Sequence, residues 1–449
     1  MEWFNLKNNI YACLEIGCAE IRMVICNIKE ERLYVLARES IESKGVENET
    51  ITNVNQVVGS LKKLKANVEL SLNQKVEQVL LAIPTVDVVV KDAESTVKLG
   101  LTQPINFANI KQLFRNVSDQ SQSNVHTTVN IVPRLFKVDK RHVVQNPYGV
   151  TGNEVSLVAQ KMLAPSTVVS GLINIVELAG FMVADVIIGS VAETLYTLNS
   201  PELLKSSSHI NIGKTSTIIT IVQAGKIIST KRALSIGGQH VTEAIKETFG
   251  IDEATAERLK VRFGQIGYGK DHFQEIVHVH EVDGKLSYIT RQKLKEVISA
   301  CYEMIFKMIR QYMVEEMLIY EAPLHYVLVG GGSEVKGISE FAKQILGEEV
   351  VVGLPSMVGV RHAKYTKLIG MAILAHEMAL LTNRKNDIID VDQYIKVKER
   401  PKEENEKGWY QGLEKRADRD QSYMDYKLEN SGVLVRLFDM IFNDKTEEK

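Results

Sequence analysis

YACLEIGCAEIRMVI at residues 11–25 and HINIGKTSTIITI at residues 209–221 decide the fold of this 449-residue chain. In each stretch a short apolar strand runs into a glycine turn, and a second strand rich in β-branched residues follows, a pattern typical of a β-hairpin. The two stretches align with Ile16-Gly17 over Ile212-Gly213. The recurrence predicts two halves built on one plan, and chance similarity between apolar hairpins is the alternative that the alignment leaves open.

A third glycine turn follows the apolar run HYVLV at residues 325–329. Gly330, Gly331 and Gly332 lead through Ser333 into ISEFAKQIL, whose apolar spacing predicts a helix over residues 338–346. Consecutive glycines let backbone amides approach a ligand closely, and a helix start adds partial positive charge, so the turn is suited to a phosphate group. A tight strand-to-helix turn needs glycine in any case, and both explanations stay open.

The composition predicts a folded protein without a nucleic-acid partner. Hydrophobic residues make up 45% and charged residues 24%, as in ordinary globular proteins. The 54 Lys and Arg residues against 56 Asp and Glu residues give a net charge of −2, without the basic excess of a nucleic-acid binder. The four cysteines lack the spacing of a zinc site, which favours a reducing compartment. No window approaches the ~18 to 20 apolar residues needed to cross a bilayer, so we expect a cytosolic protein.

The chain changes character near its end. From Arg384 to Asn430 roughly half of the residues are charged, with mixed signs, which predicts a flexible linker. The closing segment SGVLVRLFDMIFNDKTEEK begins at residue 431, and on a helix its apolar side chains cover well over half of the circumference. Such a helix is too short to span a bilayer but long enough to lie in its interface; docking on the protein itself is the alternative. The candidate membrane-binding residues are Val433, Leu434, Leu437, Phe438, Met440, Ile441 and Phe442.

A charged pair lies between the second and third glycine turns. Glu257 and Lys260, in EATAERLK, are three residues apart and point the same way on a helix. Such a pair can hold a ribose or an adenine edge, and it can equally be a surface ion pair of small energetic value.

Together these segments resemble the bacterial actin-like cell-division family FtsA. LEIGCAEI resembles the first phosphate loop, NIGKTSTI the second, LVGGGSEVKGI the adenosine loop and EATAERLK the nucleotide-contacting helix. The resemblance implies an α/β, duplicated ribonuclease-H-like, two-lobed actin-like ATPase fold. It implies ATP or ADP as cofactor and these nucleotide-binding residues: Glu15, Gly17, Cys18, Asn211, Gly213, Lys214, Thr215, Glu257, Lys260, Gly330, Gly331, Gly332 and Ser333.

The same resemblance implies a division into subdomains. They are 1A (residues 8–83, 167–197 and 371–383), the inserted 1C (84–166), 2A (198–240 and 310–370), 2B (241–309), the linker (384–430) and the amphipathic membrane-targeting helix (431–445).

The chain departs from the family at the phosphate loops. Glu15 and Asn211 stand where the family has the aspartates that organise Mg²⁺, Cys18 replaces a hydroxyl residue, and Lys214 and Thr215 replace glycines. The first two changes together remove about one unit of negative charge, so we expect at most a weak ATPase and leave Mg²⁺ near Glu15 open. Lys214 can place an ammonium near a phosphate, or it can face solvent beside a decayed pocket.

The function implied by the resemblance is that of an adaptor. The body would bind the carboxy-terminal peptide of the tubulin-like division protein FtsZ through subdomain 2B, and associate head to tail with copies of itself. The tail would hold the filament on membrane lipid at the cytoplasmic face of the division site, where downstream division proteins are further candidate partners. An actin-like component of a pilus-assembly platform and a sugar-kinase-like phosphotransferase are the alternatives.

Overall fold

The computed structural model of the chain describes residues 9–47, 49–120, 125–268, 276–280, 286–316 and 322–383. Its strands are β1 (Asn9–Ile16), β2 (Glu20–Lys29), β3 (Arg32–Glu42), β4 (Val46–Glu47), β5 (Thr50–Ile51), β6 (Gln78–Ile83), β7 (Val89–Pro104), β8 (His126–Val138), β9 (His142–Val144), β10 (Thr151–Pro165), β11 (Met182–Ile188), β12 (Ser206–Ile212), β13 (Thr217–Gln223), β14 (Lys226–Leu234), β15 (Ile276–His280), β16 (Leu286–Thr290), β17 (His325–Val329) and β18 (Glu349–Val352). Its α-helices are α1 (Val54–Leu72), α2 (Phe107–Asp119), α3 (Ser166–Leu178), α4 (Gly189–Thr197), α5 (Pro201–Lys205), α6 (Gly238–Phe249), α7 (Glu253–Phe263), α8 (Arg291–Glu316), α9 (Ile338–Leu346) and α10 (Thr366–Thr382).

The first lobe is built on a five-stranded sheet in the order β11-β6-β1-β2-β3. β1 lies at its centre, antiparallel to β2 and parallel to β6. Nearly every residue of β1 is buried, as expected of a strand covered on both faces, which explains its continuous apolar run. Helix α1 covers this sheet with buried residues spaced three and four apart, and the Asn53 side chain accepts a hydrogen bond from the Gln56 amide at its start.

The second lobe repeats this arrangement. Its sheet has the order β14-β13-β12-β17-β18, with β12 in the place of β1, β13 in that of β2 and β17 in that of β6. The register repeats as well, because Ile16 pairs with Ile21 in the first hairpin and Ile212 pairs with Thr217 in the second. The predicted duplication is therefore confirmed, and chance similarity between the hairpins is excluded.

A separate sheet interrupts the first lobe. Strands β7, β10, β8 and β9 pair antiparallel in that order, and α2 packs on them around a small core that includes Phe114 and Phe136. The chain leaves the first lobe after β6 and returns through α3, so this unit is an insertion between two adjacent parallel strands of the main sheet.

Two buried helices, α4 and α10, connect the lobes. All nine residues of α4 are buried, and it contacts β11 of the first sheet as well as β13 and β14 of the second. It crosses α10 at Gly370, where a Cβ atom would lie 2.3 Å from the Ala192 carbonyl oxygen. Ser190 of α4 accepts hydrogen bonds from Thr85 of the first lobe and Thr230 of the second, at 2.7 and 2.8 Å. These contacts make α4 and α10 the connection between the lobes, which is called the hinge below.

In the part of the chain that the structure describes, no helix has the length and apolar character needed to cross a membrane. The segments predicted as linker and amphipathic helix, residues 384–430 and 431–445, lie outside the described residues.

Candidate functional site

The three glycine turns lie close together where the two lobes face each other, a region called the cleft below. The second and third turns are neighbours because β12 and β17 are parallel and adjacent, so both strands end at the same edge of the sheet. Glu49, between β4 and β5, joins the first turn to the second: its amide contacts the Cys18 sulfur at 3.1 Å, and its carboxylate accepts a hydrogen bond from the Ser216 hydroxyl. Gly17 itself forms the first turn, its amide donating to the Glu20 carbonyl at 3.1 Å.

The glycines of the third turn are required by packing. A Cβ atom at Gly330 would lie 2.4 Å from the Asn211 side-chain oxygen, and one at Gly332 would lie 2.5 Å from the Ile212 side chain. Gly330 also has φ = 85°, a conformation that favours glycine. Gly331 has open space, with its nearest neighbour at 4.0 Å. Two of the three glycines therefore bring the third turn against the end of β12, and only Gly331 keeps room beside it.

Ser333 is turned inward. Its hydroxyl is buried and donates to the Val329 carbonyl at 2.7 Å, so the side chain fixes the turn before α9. The predicted helix over residues 338–346 coincides with α9.

The second turn carries two side chains that remain available. Lys214 is exposed, and no carboxylate of the described residues lies within ion-pair distance of it. The Thr215 hydroxyl oxygen is shielded from solvent and has no hydrogen-bond partner among the described residues. The amide of Gly213 donates within the turn to Ser216, and its carbonyl accepts from the amide of Gly238 at 2.9 Å. The exposed Lys214 ammonium at this glycine turn fits an anionic oxygen such as that of a phosphate.

Glu257 and Lys260 point the same way, as predicted, and both contact α6. The Lys260 ammonium lies 2.6 Å from the Glu257 carboxylate and donates to the Gly238 carbonyl at 2.9 Å and to the Thr242 hydroxyl at 2.8 Å. Burial lowers the pKa of Lys260, while Glu257 opposes that shift. The Lys260 side chain is only 13% exposed, so an ordinary surface ion pair does not describe it. Glu257, at 48% exposed, can still reach a ligand.

Glu15 is surrounded by positive charge. Its carboxylate lies 2.8 Å from the Arg22 guanidinium of β2 and 2.6 Å from the Lys367 ammonium of α10. Burial alone would raise the pKa of the Glu15 carboxyl, but Arg22 and Lys367 outweigh it and lower that pKa below its usual range. Glu15 is thus an ionised carboxylate with a cation beside each oxygen, and its Oε2 atom, in ion-pair contact with Arg22, accepts no hydrogen bond from the described residues.

The Asn211 side chain, unlike that of Glu15, is held by a carboxylate. Its side-chain nitrogen donates to both oxygens of the Glu193 carboxylate of α4, at 2.8 and 2.7 Å, and joins the second lobe to the hinge. Burial raises the pKa of Glu193, and the nearby Lys367 and the Asn211 hydrogen bonds oppose that shift.

These residues do not fit Mg²⁺. The ion requires about six oxygen ligands at about 2.0–2.1 Å and strong negative charge. Both Glu15 oxygens already have cationic partners, and the Asn211 oxygen faces Gly330 while its nitrogen holds Glu193. Across the described residues, no group of three His, Cys, Asp or Glu side chains has the arrangement of a metal site.

Sequence reasoning missed Arg22, Lys367, Glu193 and Glu49. The first three are single charges within apolar stretches, a signal that marks a buried charge but does not name its partner. Glu49 has φ = 64°, which no sequence pattern indicated.

Residues 209–370 match the family model described as cell division protein FtsA. The chain is 23% identical over 381 residues to the cell division protein FtsA of Bacillus subtilis (84% of this chain, 86% of the relative), and 23% identical over 375 residues to that of Streptococcus pneumoniae (83% and 81%). Among solved structures, a chain of a PilM–PilN type IV pilus biogenesis complex superimposes with a TM-score of 0.53 at 15% identity (81% of this chain, 98% of the other).

The duplicated sheets and the two helices that connect them define an actin-like fold of two lobes. The chain is similar to the cell division protein FtsA over most of its length, and residues 209–370 match that family's model. The fold and the family resemblance expected from the sequence are thereby confirmed.

Proposed function

We propose that the chain is an actin-like adaptor of bacterial cell division, which binds nucleotide, self-associates and tethers FtsZ filaments to the cytoplasmic membrane. The observation that carries this proposal is the alignment with FtsA of Bacillus subtilis, which covers 84% of the chain at 23% identity. The two-lobed fold with an inserted sheet in its first lobe adds to it. The subdomain boundaries given above are part of the proposal.

Nucleotide binding in the cleft is supported by its geometry. The Thr215 hydroxyl without a partner and the free Lys214 ammonium lie at the second turn, where phosphates would bind. Gly331 leaves open space at the third turn, and the half-exposed Glu257 carboxylate is available for a ribose. ATP or ADP would therefore bind with its phosphates at the second turn and its nucleoside between the third turn and α7. Hydrolysis is expected to be weak at most, because Glu15 is neutralised by its two partners.

Binding of the FtsZ carboxy-terminal peptide is assigned to subdomain 2B. Several large apolar side chains of this segment are exposed, among them Val261 (75%), Tyr288 (66%) and Met304 (43%). Contiguous exposed apolar patches are typical of peptide-binding surfaces, and we propose that these three side chains contribute to one.

Membrane attachment is assigned to the apolar face of residues 431–445. A short interfacial helix binds lipid marginally, whereas linked copies convert later contacts into intramolecular ones, so head-to-tail association strengthens the anchor. The location that follows is peripheral, on the cytoplasmic face at the division site. Downstream division proteins remain candidate partners.

The two alternatives differ in what the cleft must do. A sugar-kinase-like enzyme needs a free carboxylate to activate its substrate; Glu15 is paired with Arg22 and Lys367, and the Glu49 and Glu257 carboxylates each accept a hydrogen bond from a hydroxyl of the chain. A pilus-assembly platform shares the fold, and the similarity to a chain of the PilM–PilN complex extends to the fold alone.

Fluorescence anisotropy of a labelled FtsZ carboxy-terminal peptide with the full chain tests the proposal. We expect saturable binding that a scrambled peptide does not compete for. Absence of binding, with steady ADP release from ATP in the presence of sugars, would favour the kinase; absence of both would reject the adaptor in favour of the platform.

A further inference from the structure

A buried cluster of four charged side chains lies at the hinge side of the cleft. Glu15 comes from β1, Arg22 from β2, Glu193 from α4 and Lys367 from α10. The side chains of Glu15, Arg22 and Lys367 are only 7%, 14% and 18% exposed. Such a cluster persists only if its charges compensate one another, because an unpaired buried charge is costly.

The glycine at the start of α4 makes room for the Lys367 side chain. A Cβ atom at Gly189 would lie 2.6 Å from the Lys367 Cδ atom, so the glycine at the start of α4 leaves room for the lysine stem. The ammonium at its end contacts Glu15 and also interacts electrostatically with Glu193. Burial alone would lower the pKa of Lys367, but these two carboxylates raise it above its usual range, so the group remains a cation.

The Arg22 and Lys367 side chains together carry the same charge as a divalent cation. Arg22 and Lys367 carry one positive charge each, and they contact different oxygens of the Glu15 carboxylate. A metal ion at this position would have to displace both contacts; Asn211 is neutral, and both oxygens of the Glu193 carboxylate accept hydrogen bonds from the Asn211 amide.

We propose that Lys367 and Arg22 take the place of Mg²⁺ in this cleft, so that the chain binds nucleotide phosphates without a divalent cation. The proposal deepens the nucleotide binding proposed above and rests on it. Its structural half, that Lys367 holds the position where a metal would bind, stands on the charged cluster alone and can be measured without nucleotide.

The first experiment measures the affinity of the full chain for N-methylanthraniloyl-ATP in excess MgCl₂ and in excess EDTA at matched ionic strength. We expect the two dissociation constants to agree within about twofold. A loss of about tenfold or more in EDTA would overturn the proposal. Absence of binding in both buffers would reject nucleotide binding itself, and with it the nucleotide half of the proposal.

The second experiment uses no nucleotide and compares the melting temperature in MgCl₂ with that in NaCl of equal ionic strength. The wild-type chain should show no difference. Lys367→Met should melt lower, because Glu15 and Glu193 lose their shared cation, and Mg²⁺ should restore part of the loss. Lys231→Met, which removes an exposed lysine paired with Glu316, is the control and should not respond to Mg²⁺.

A Mg²⁺-dependent rise in the wild-type melting temperature that Glu15→Gln abolishes would overturn the structural half. A folded Lys367→Met chain that Mg²⁺ does not stabilise would overturn it as well. If Lys367→Met does not fold, the effect of Mg²⁺ on the melting temperatures of the wild-type and Glu15→Gln chains is sufficient to test the structural half.

Discussion

Mild acid should weaken the hinge region through two buried histidines. His209 of β12 lies between the Thr197 hydroxyl of α4, at 2.9 Å, and the Ser207 hydroxyl, at 3.1 Å. His376 of α10 contacts the Tyr11 hydroxyl at 3.0 Å. Burial lowers the pKa of His209 to about 3 and that of His376 to about 4. Both rings are therefore neutral in the folded chain at neutral pH.

The sign and size of the effect follow from these pKa values. An unfolded histidine has a pKa of about 6.5, so below that pH the unfolded chain binds protons that the folded chain does not, and stability falls as pH falls. The window extends from about pH 6.5 down to the folded pKa values. Between pH 7.5 and pH 5.5 each ring should remove about 1.3 kcal/mol from the free energy of unfolding, or about 2.6 kcal/mol together.

Urea unfolding followed by circular dichroism at the two pH values measures this loss. His376→Gln removes one titrating group, so the pH-dependent loss should be smaller than in the wild-type chain by about 1.3 kcal/mol, whatever the effect of the substitution at pH 7.5. The raised pKa of Glu193 has the opposite sign, but it is common to both chains and cancels in the comparison. Equal losses in the two chains would refute the argument, since they would mean that the folded chain holds His376 as a cation.

Three further predictions concern the hinge, the cleft and the tail. Gly370→Ala should destabilise the chain by about 1–3 kcal/mol, because its Cβ would meet the backbone of α4, while Gly59→Ala on α1, with open space, should be neutral or stabilising; a thermal melt of each decides. Glu49→Gly should tighten binding of N-methylanthraniloyl-ATP about fivefold, because it removes a negative charge between the first two turns; equal affinity would contradict this. Phe438→Glu should abolish flotation with lipid vesicles, whereas Asn443→Glu, at a polar position of the same predicted helix, should retain it; loss of flotation in both variants would mean that added negative charge, and not the lost apolar side chain, releases the chain.

The backbone plan was largely readable from the sequence. Apolar strands ending at Gly17 and Gly213 predicted two equivalent hairpins, and the structure pairs Ile16 with Ile21 and Ile212 with Thr217 in the same register. Strand patterns of this kind depend on neighbouring residues, so they can be recognised without knowledge of the tertiary structure.

The charged partners were not readable. Glu15 and Lys367 are 352 residues apart, and Glu49 and Ser216 are 167 apart, so nothing local indicates that they meet. The sequence located the glycines of the third turn correctly, but it did not show why glycine is needed there. The close approach of Gly330 to Asn211 depends on the pairing of β17 with β12.

Co-flotation of FtsZ filaments with lipid vesicles in the presence of the full chain tests the adaptor most directly. FtsZ should rise with the vesicles when the wild-type chain is present and stay behind with Phe438→Glu. FtsZ that remains unattached while the wild-type chain itself floats would contradict it.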